Sequence, residues 1–184
     1  MLHALRRIDI VEGFQGVAFG TMDGLITILG VVIGIANATE SSAIVVISGL
    51  VAGVANAFGN SIGFYASELA ERAEHIRENQ HVSSMVETRR STLLSFVTSL
   101  ASMIIPVVPF TLFANLQLAM TVSLIVALST LFALGSLVGK LGKENLWRFG
   151  LRYVLLGLAG AALSFVVGDL LKDLLTVGYW IPPW

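Results

Sequence analysis

Residues 16–38 read GVAFGTMDGLITILGVVIGIANA, an unbroken apolar stretch whose one ionisable side chain is Asp23. As an α-helix this stretch is about 34 Å long, enough to cross a hydrocarbon core of about 30 Å. No basic residue lies inside it to neutralise the carboxylate. Placing an ionised carboxylate at mid-bilayer costs on the order of 2.5–3.5 kcal/mol on insertion scales, so such a group faces a cavity, a partner or a cation. Asp23 therefore points to a conduction pathway or a binding site.

Working outward, the rest of the chain has the same character. Of its 184 residues, 55 % are hydrophobic and 12 % charged, and its mean hydropathy is +0.84. A soluble domain carries about 25 % charged residues. Further apolar runs at 43–66, 92–114, 118–139 and 149–171 give five spans in all. An open sheet cannot cross lipid, and the alternation of a barrel is missing. The expected fold is an all-α membrane protein, residues 1–184 forming a single domain of five transmembrane helices, with a short charged helical extension over 67–90.

Ten of the eleven Lys and Arg residues flank the N-terminus and the second and fourth connections, leaving only Lys172 on the other side. The positive-inside rule then predicts a cytoplasmic N-terminus, an external C-terminus, and a second helix extended into the cytoplasm. Tyr179, Trp180 and Trp184 read as an aromatic belt at the outer end, with Pro182 and Pro183 stopping the helix. The N-terminal residues contain no cleavage-type stretch, so the first span is expected to be retained. There is no cysteine, which removes thiolate metal sites. Nucleic acid is not expected as a partner, whereas membrane lipid is.

At 100° per residue, Gly16, Gly20, Asp23, Thr27, Gly30, Gly34 and Asn37 fall in one narrow stripe of small and polar residues. Such a stripe lets a backbone, water or an ion approach Asp23, and it also serves as a plain packing seam. The second span repeats it with Gly49, Gly53, Asn56, Asn60, Gly63 and Ser67, continuing into Glu71, Glu74 and Glu78. Asn oxygens replace part of a cation's hydration shell, and carboxylates at a mouth raise the local cation concentration. Glu68, His75 and His81 add further donors to the extension. Two readings of it stand: a metal-gathering surface, or a solvated face with Glu68–Arg72 and Glu74–Arg77 pairs worth a few tenths of a kcal/mol each. Pro106 and Pro109 bend the third span, Gly157 and Gly160 suit close packing in the fifth, and Arg152, Asp169, Lys172 and Asp173 are end charges.

Three segments in order carry a family resemblance. Phe19-Gly20-Thr21-Met22-Asp23-Gly24-Leu25 followed by Gly34, Ile105-Pro106-Val107-Val108-Pro109-Phe110, and Gly157-Leu158-Ala159-Gly160-Ala161-Ala162 through Val167-Gly168 resemble the first, third and last helices of the vacuolar iron transporter family. That resemblance implies a homodimeric carrier that moves Fe2+, and often Mn2+, out of the cytosol in exchange for protons, with no tightly bound cofactor. The family's first-helix Asp falls on Asp23. Its second-helix pattern Ser-Met-Ala-Ala-Gly-Glu-Tyr, aligned on Gly63 and Tyr65, places the family Met on Asn60 and the family Glu on Phe64. Glu68 lies one turn below Phe64. The stretch between the second and third spans is also too short for the family's full metal-binding domain.

The residues expected to handle metal are thus Asp23, Asn56, Asn60, Glu68, Glu71, Glu74, His75 and Glu78. Gly20, Thr27, Gly30, Gly34, Gly63 and Ser67 are expected to line the pathway, and the pairs Gly16/Gly20 and Gly30/Gly34 together with the resemblance predict a two-fold homodimer with the first helices near the interface and the pathway between subunits. A prokaryotic cell membrane is the expected host. The alternative is a membrane scaffold or metal-sensing partner subunit that does not transport. An enzyme is disfavoured, because no nucleophile–base pair lies in the spans.

Overall fold

The computed structural model describes the backbone of residues 2–78 and 84–176, and the side chains of residues 13–78 and 84–173. His81, Tyr179, Trp180, Pro182, Pro183 and Trp184 lie outside the described residues. Every element among those described is helical: α1 (Leu2–Thr39), α2 (Ser42–Arg77), α3 (Met85–Leu112), α4 (Leu116–Leu141) and α5 (Leu146–Thr176). All five are long and apolar enough to cross a membrane. A helix satisfies its own backbone hydrogen bonds, which is what lipid demands.

Sequence sets the helix ends. Ser41 caps α2 by accepting from the Ile44 amide, and Ser84 and Glu87 form a reciprocal capping box at α3. Asn115 and Asn145 accept the free amides opening α4 and α5, at 3.0 Å each. Between α1 and α2 only Glu40 and Ser41 remain, and Glu40 makes the reversal with a left-handed φ of 52°. At 36 residues, α2 is about 54 Å long and so projects well beyond a single bilayer core.

Helix α1 is the centre of the bundle, packing on each of the other four. Leu25, Ile28, Leu29 and Val32 have no exposed surface, and they join Val45, Met103, Val107, Phe110, Ala127 and Leu131 in one core. Where α1 meets α3 the helices touch backbone to backbone. A Cβ at Gly16 or Gly20 would lie 2.1 Å from the carbonyl oxygen of Ser91 or Ser95 respectively, and one at Gly24 2.2 Å from the Ser102 hydroxyl. Farther along, Gly30 and Gly34 meet Ser164, and Gly168 meets the Gly34 carbonyl.

These contacts show Gly16, Gly20, Gly30 and Gly34 serving close packing within one chain. Only residues without a Cβ let α3 and α5 approach α1 this closely. Helix α3 runs on through Pro106 and Pro109. The Ser123 hydroxyl of α4 donates to the Pro106 carbonyl at 2.8 Å within the buried bundle.

Candidate functional site

Two rows of side chains spaced every four residues face each other across α1 and α2: Gln15, Phe19, Asp23 and Thr27 on α1, and Asn56, Asn60, Phe64 and Glu68 on α2. The helices run in opposite directions, so the rows pair level by level. At one end Gln15 Nε2 donates to Glu68 Oε1 at 3.0 Å. One turn inward the rings of Phe19 and Phe64 meet in a tilted pair, their centroids 5.0 Å apart. Beyond them Asn56 Nδ2 donates to Asp23 Oδ2, and Thr27 Oγ1 lies 3.5 Å from Asp23 Oδ1. Asn60 lies between these levels, its amide nitrogen buried without a hydrogen-bond partner.

The Asp23 carboxylate is half-buried and is held by a neutral amide and a hydroxyl. Among the described residues no Lys, Arg or His pairs with it. A carboxylate so placed within a membrane span faces a cavity, a partner or a cation. Asn56 spends its nitrogen on the carboxylate, which leaves its carbonyl oxygen as a further neutral donor to an ion.

The second-helix stripe read from the sequence departs from this row at its lower end. Gly63 and Ser67 are exposed, and a Cβ at Gly63 would meet nothing within 4 Å, while Phe64 and Glu68 face α1. The reason is geometric: the contact line follows the i, i+4 ridges, which are inclined to the helix axis, whereas the stripe was drawn parallel to it. Gly20 is packed against Ser95 of α3 rather than lining open space. Thr27, Gly30 and Gly34 border an apolar groove of about 540 Å³ between α1 and α5, with Gly160, Ser164 and Gly168 opposite.

Farther out on α2, Glu71, Glu74 and Glu78 are exposed and His75 half-buried. Among the described residues no three His, Asp or Glu side chains come together in a group able to hold a metal ion.

At the other end of the bundle Lys172 of α5 pairs with Glu40 in the α1–α2 turn. Hydrogen bonding and attraction from the ammonium hold the Glu40 carboxyl below its ordinary pKa. Glu40 also borders a cavity of about 550 Å³ whose polar lining includes Asn37, Asn115 and Gln117.

Asp23, Asn56 and Asn60 thus come together between two helices long and apolar enough to cross a membrane. Residues 14–92 and 73–169 match the family model described as the VIT family. The chain belongs to the VIT family. An uncharacterized protein of Methanocaldococcus jannaschii is 30 % identical over 178 residues, which cover 87 % of this chain and 92 % of that protein. VIT-family membership implies metal-ion transport across a membrane, and with the five apolar helices it makes this a multi-pass membrane protein.

Sequence reasoning missed two α1 side chains that pair with the α2 row, Gln15 and Phe19. It also missed a hydroxyl ladder on α3. Thr88, Ser91, Ser95, Ser99 and Ser102 are all buried, the last four against the α1 glycines. Their spacing of three or four residues within an apolar helix was the available signal.

Proposed function

We propose that this VIT-family chain carries Fe2+ or Mn2+ out of the cytosol in exchange for protons, with Asp23 as the ligand inside the membrane. The observation that supports it best is the Asp23 carboxylate, half-buried on the central helix and compensated only by Asn56 and Thr27. In this reading the ion takes Asp23 and the amide oxygens of Asn56 and Asn60 as hard ligands, and a proton replaces the ion on the return step. With an amide at 60 where the family has a thioether, the site favours the harder Mn2+ over Fe2+. Glu71, Glu74 and Glu78 concentrate cations at a cytoplasmic mouth, as the positive-inside distribution orients it.

A second copy belongs to the proposal. Asp23 is only half-buried within one chain, and α2 and α5, on either flank of α1, do not form an extensively packed pair. Lipid against that face would leave the carboxylate uncompensated, whereas a two-fold related copy would enclose it. The proposed setting is a homodimer in a prokaryotic cell membrane.

Metal uptake into proteoliposomes, measured with and without a proton gradient, tests the function. The wild type should accumulate Mn2+ and Fe2+ in a gradient-dependent way, Asp23→Asn should fall to the background of empty vesicles, and Asn60→Met should shift preference towards Fe2+. Full transport by Asp23→Asn would overturn the mechanism. A wild type that neither transports nor gains thermal stability from either ion would favour the scaffold reading, to which Phe64 in place of the family Glu lends some weight.

A further inference from the structure

We propose that Phe19 and Phe64 form the inner gate of this pathway, a dry aromatic barrier separating Glu68 on one side from Asn60 and Asp23 on the other. The proposal rests on the transport reading for its purpose but on the facing rows for its geometry. Four residues of helix rise about 6 Å. Phe19 thus stands about 6 Å from both Gln15 and Asp23 along α1, and Phe64 about 6 Å from both Glu68 and Asn60 along α2. The Glu68 and Asp23 carboxylates are then about 12 Å apart along the axis, too far to share one ion. The rings between them touch at a centroid distance of 5.0 Å.

Each side of this level is polar and the level itself is not. Gln15 and Glu68 are bonded to each other below it, and the Asn60 amide nitrogen above it is buried with no partner. Phe64 is 4 % exposed and Phe19 39 %, so Phe64 is the fixed half and Phe19 the ring with room to swing. Apolar constrictions of this kind gate by dewetting. A cation that does pass meets ring faces, which attract positive charge. Stripping a divalent ion of its water costs far more than a ring face returns, so the closed rings are expected to hold back water and ions alike until the Phe19 ring moves aside.

The chain has no cysteine, so accessibility is read from single introduced thiols in the full-length protein. Asn60→Cys and, as a reference below the rings, Ser67→Cys are reacted in liposomes with a charged, membrane-impermeant maleimide added from the side on which Ser67→Cys labels. With both rings intact, Asn60→Cys should react slowly. Adding Phe64→Ala, or independently Phe19→Ala, should speed it by about tenfold or more while Ser67→Cys stays unchanged. Phe64→Leu keeps the level apolar and serves where the alanine variant does not fold; it should give an intermediate rate. Rapid labelling of Asn60→Cys behind intact rings, or a rate that neither phenylalanine substitution alters, overturns the gate. The readout needs no metal flux, so a wild type that fails to transport would sink the function proposed above and leave this result standing.

Discussion

Adding one methyl group to Gly20 should cost this protein about as much stability as any single surface interaction could supply several times over. Built on the Gly20 backbone, a Cβ falls 2.1 Å from the carbonyl oxygen of Ser95, 2.8 Å from its carbon and 2.5 Å from the Thr98 hydroxyl. The closest atom belongs to backbone, so no side-chain rotation relieves the clash. Restoring an ordinary separation of at least 3.4 Å requires α1 and α3 to part by about 1.3 Å. Overpacking of this kind costs about 1–3 kcal/mol. The neighbouring contacts at Gly16 and Gly24 would open with it, and a gap of about 1 Å forfeits up to half of each lost dispersion contact. We expect Gly20→Ala to lose about 3 kcal/mol.

Gly63→Ala is the control, because its new methyl meets nothing within 4 Å. Inside α2 this change should be neutral or stabilising by up to about 1 kcal/mol, since alanine is the better helix former. Thermal and SDS-induced unfolding of the detergent-solubilised protein, followed by tryptophan fluorescence and circular dichroism, measures both. Should Gly20→Ala unfold alongside Gly63→Ala, the close α1–α3 seam would be refuted. If it lost transport while keeping full stability, Gly20 would border an open pathway after all.

Three further outcomes follow from single contacts. Ser123→Ala removes the hydroxyl that donates to the Pro106 carbonyl and should lower stability by about 1 kcal/mol in the same unfolding assay, less than half the effect of Gly20→Ala. Glu40 has a lowered pKa, so its pairing with Lys172 is fully present above the ordinary carboxylate value and is lost as pH falls through the lowered one. Unfolding measured from neutral pH down to acid should show this decline in wild type at low salt but not in Glu40→Gln, and high salt should shrink it because the pair is exposed. Finally, a reporter fused after Trp184 should be active only on the outer side, as the basic-residue distribution requires; activity in the cytosol would reverse the orientation and with it the proposed direction of transport.

The five helices were legible because hydrocarbon thickness imposes one length on every span, and composition alone reveals it. Asp23 was legible for the opposite reason, as the one residue that breaks the rule. The facing rows were harder to see. A helical wheel assumes contact lines parallel to the axis, so it selected Gly63 and Ser67, whereas inclined packing brought in Phe64 and Glu68. Phe19 and Phe64 look in sequence like any membrane aromatic. Only the pairing of levels, Gln15 with Glu68 and Phe19 with Phe64, shows what they separate. The glycine stripes read both as room for water or an ion and as a packing seam, because a glycine's lack of a side chain does not say which neighbour exploits it. The contact between Lys172 and Glu40, which joins residues 132 apart in the chain, depends on tertiary folding and has no local signal.

Charge balance gives the proposed second copy a sharper test than its mass. A divalent ion stripped of water inside a membrane needs about two negative charges nearby, since any surplus charge costs several kcal/mol in that medium. With Phe64 at the position of the family Glu, this chain offers one carboxylate at that depth, Asp23, and Glu68 is about 12 Å away along the helix axis. Two chains arranged about a two-fold axis beside α1 would supply the pair, and one chain alone would leave the ion half-compensated. A tandem fusion whose linker carries an added membrane span, restoring the second copy's orientation, should transport when both halves keep Asp23. Replacing Asp23 by Asn in one half should then reduce uptake far below half of the doubly intact fusion, because no intact site remains. A fusion retaining half the rate would mean that each chain transports through its own Asp23, and the shared site would have to be abandoned even if the protein proved to be a dimer.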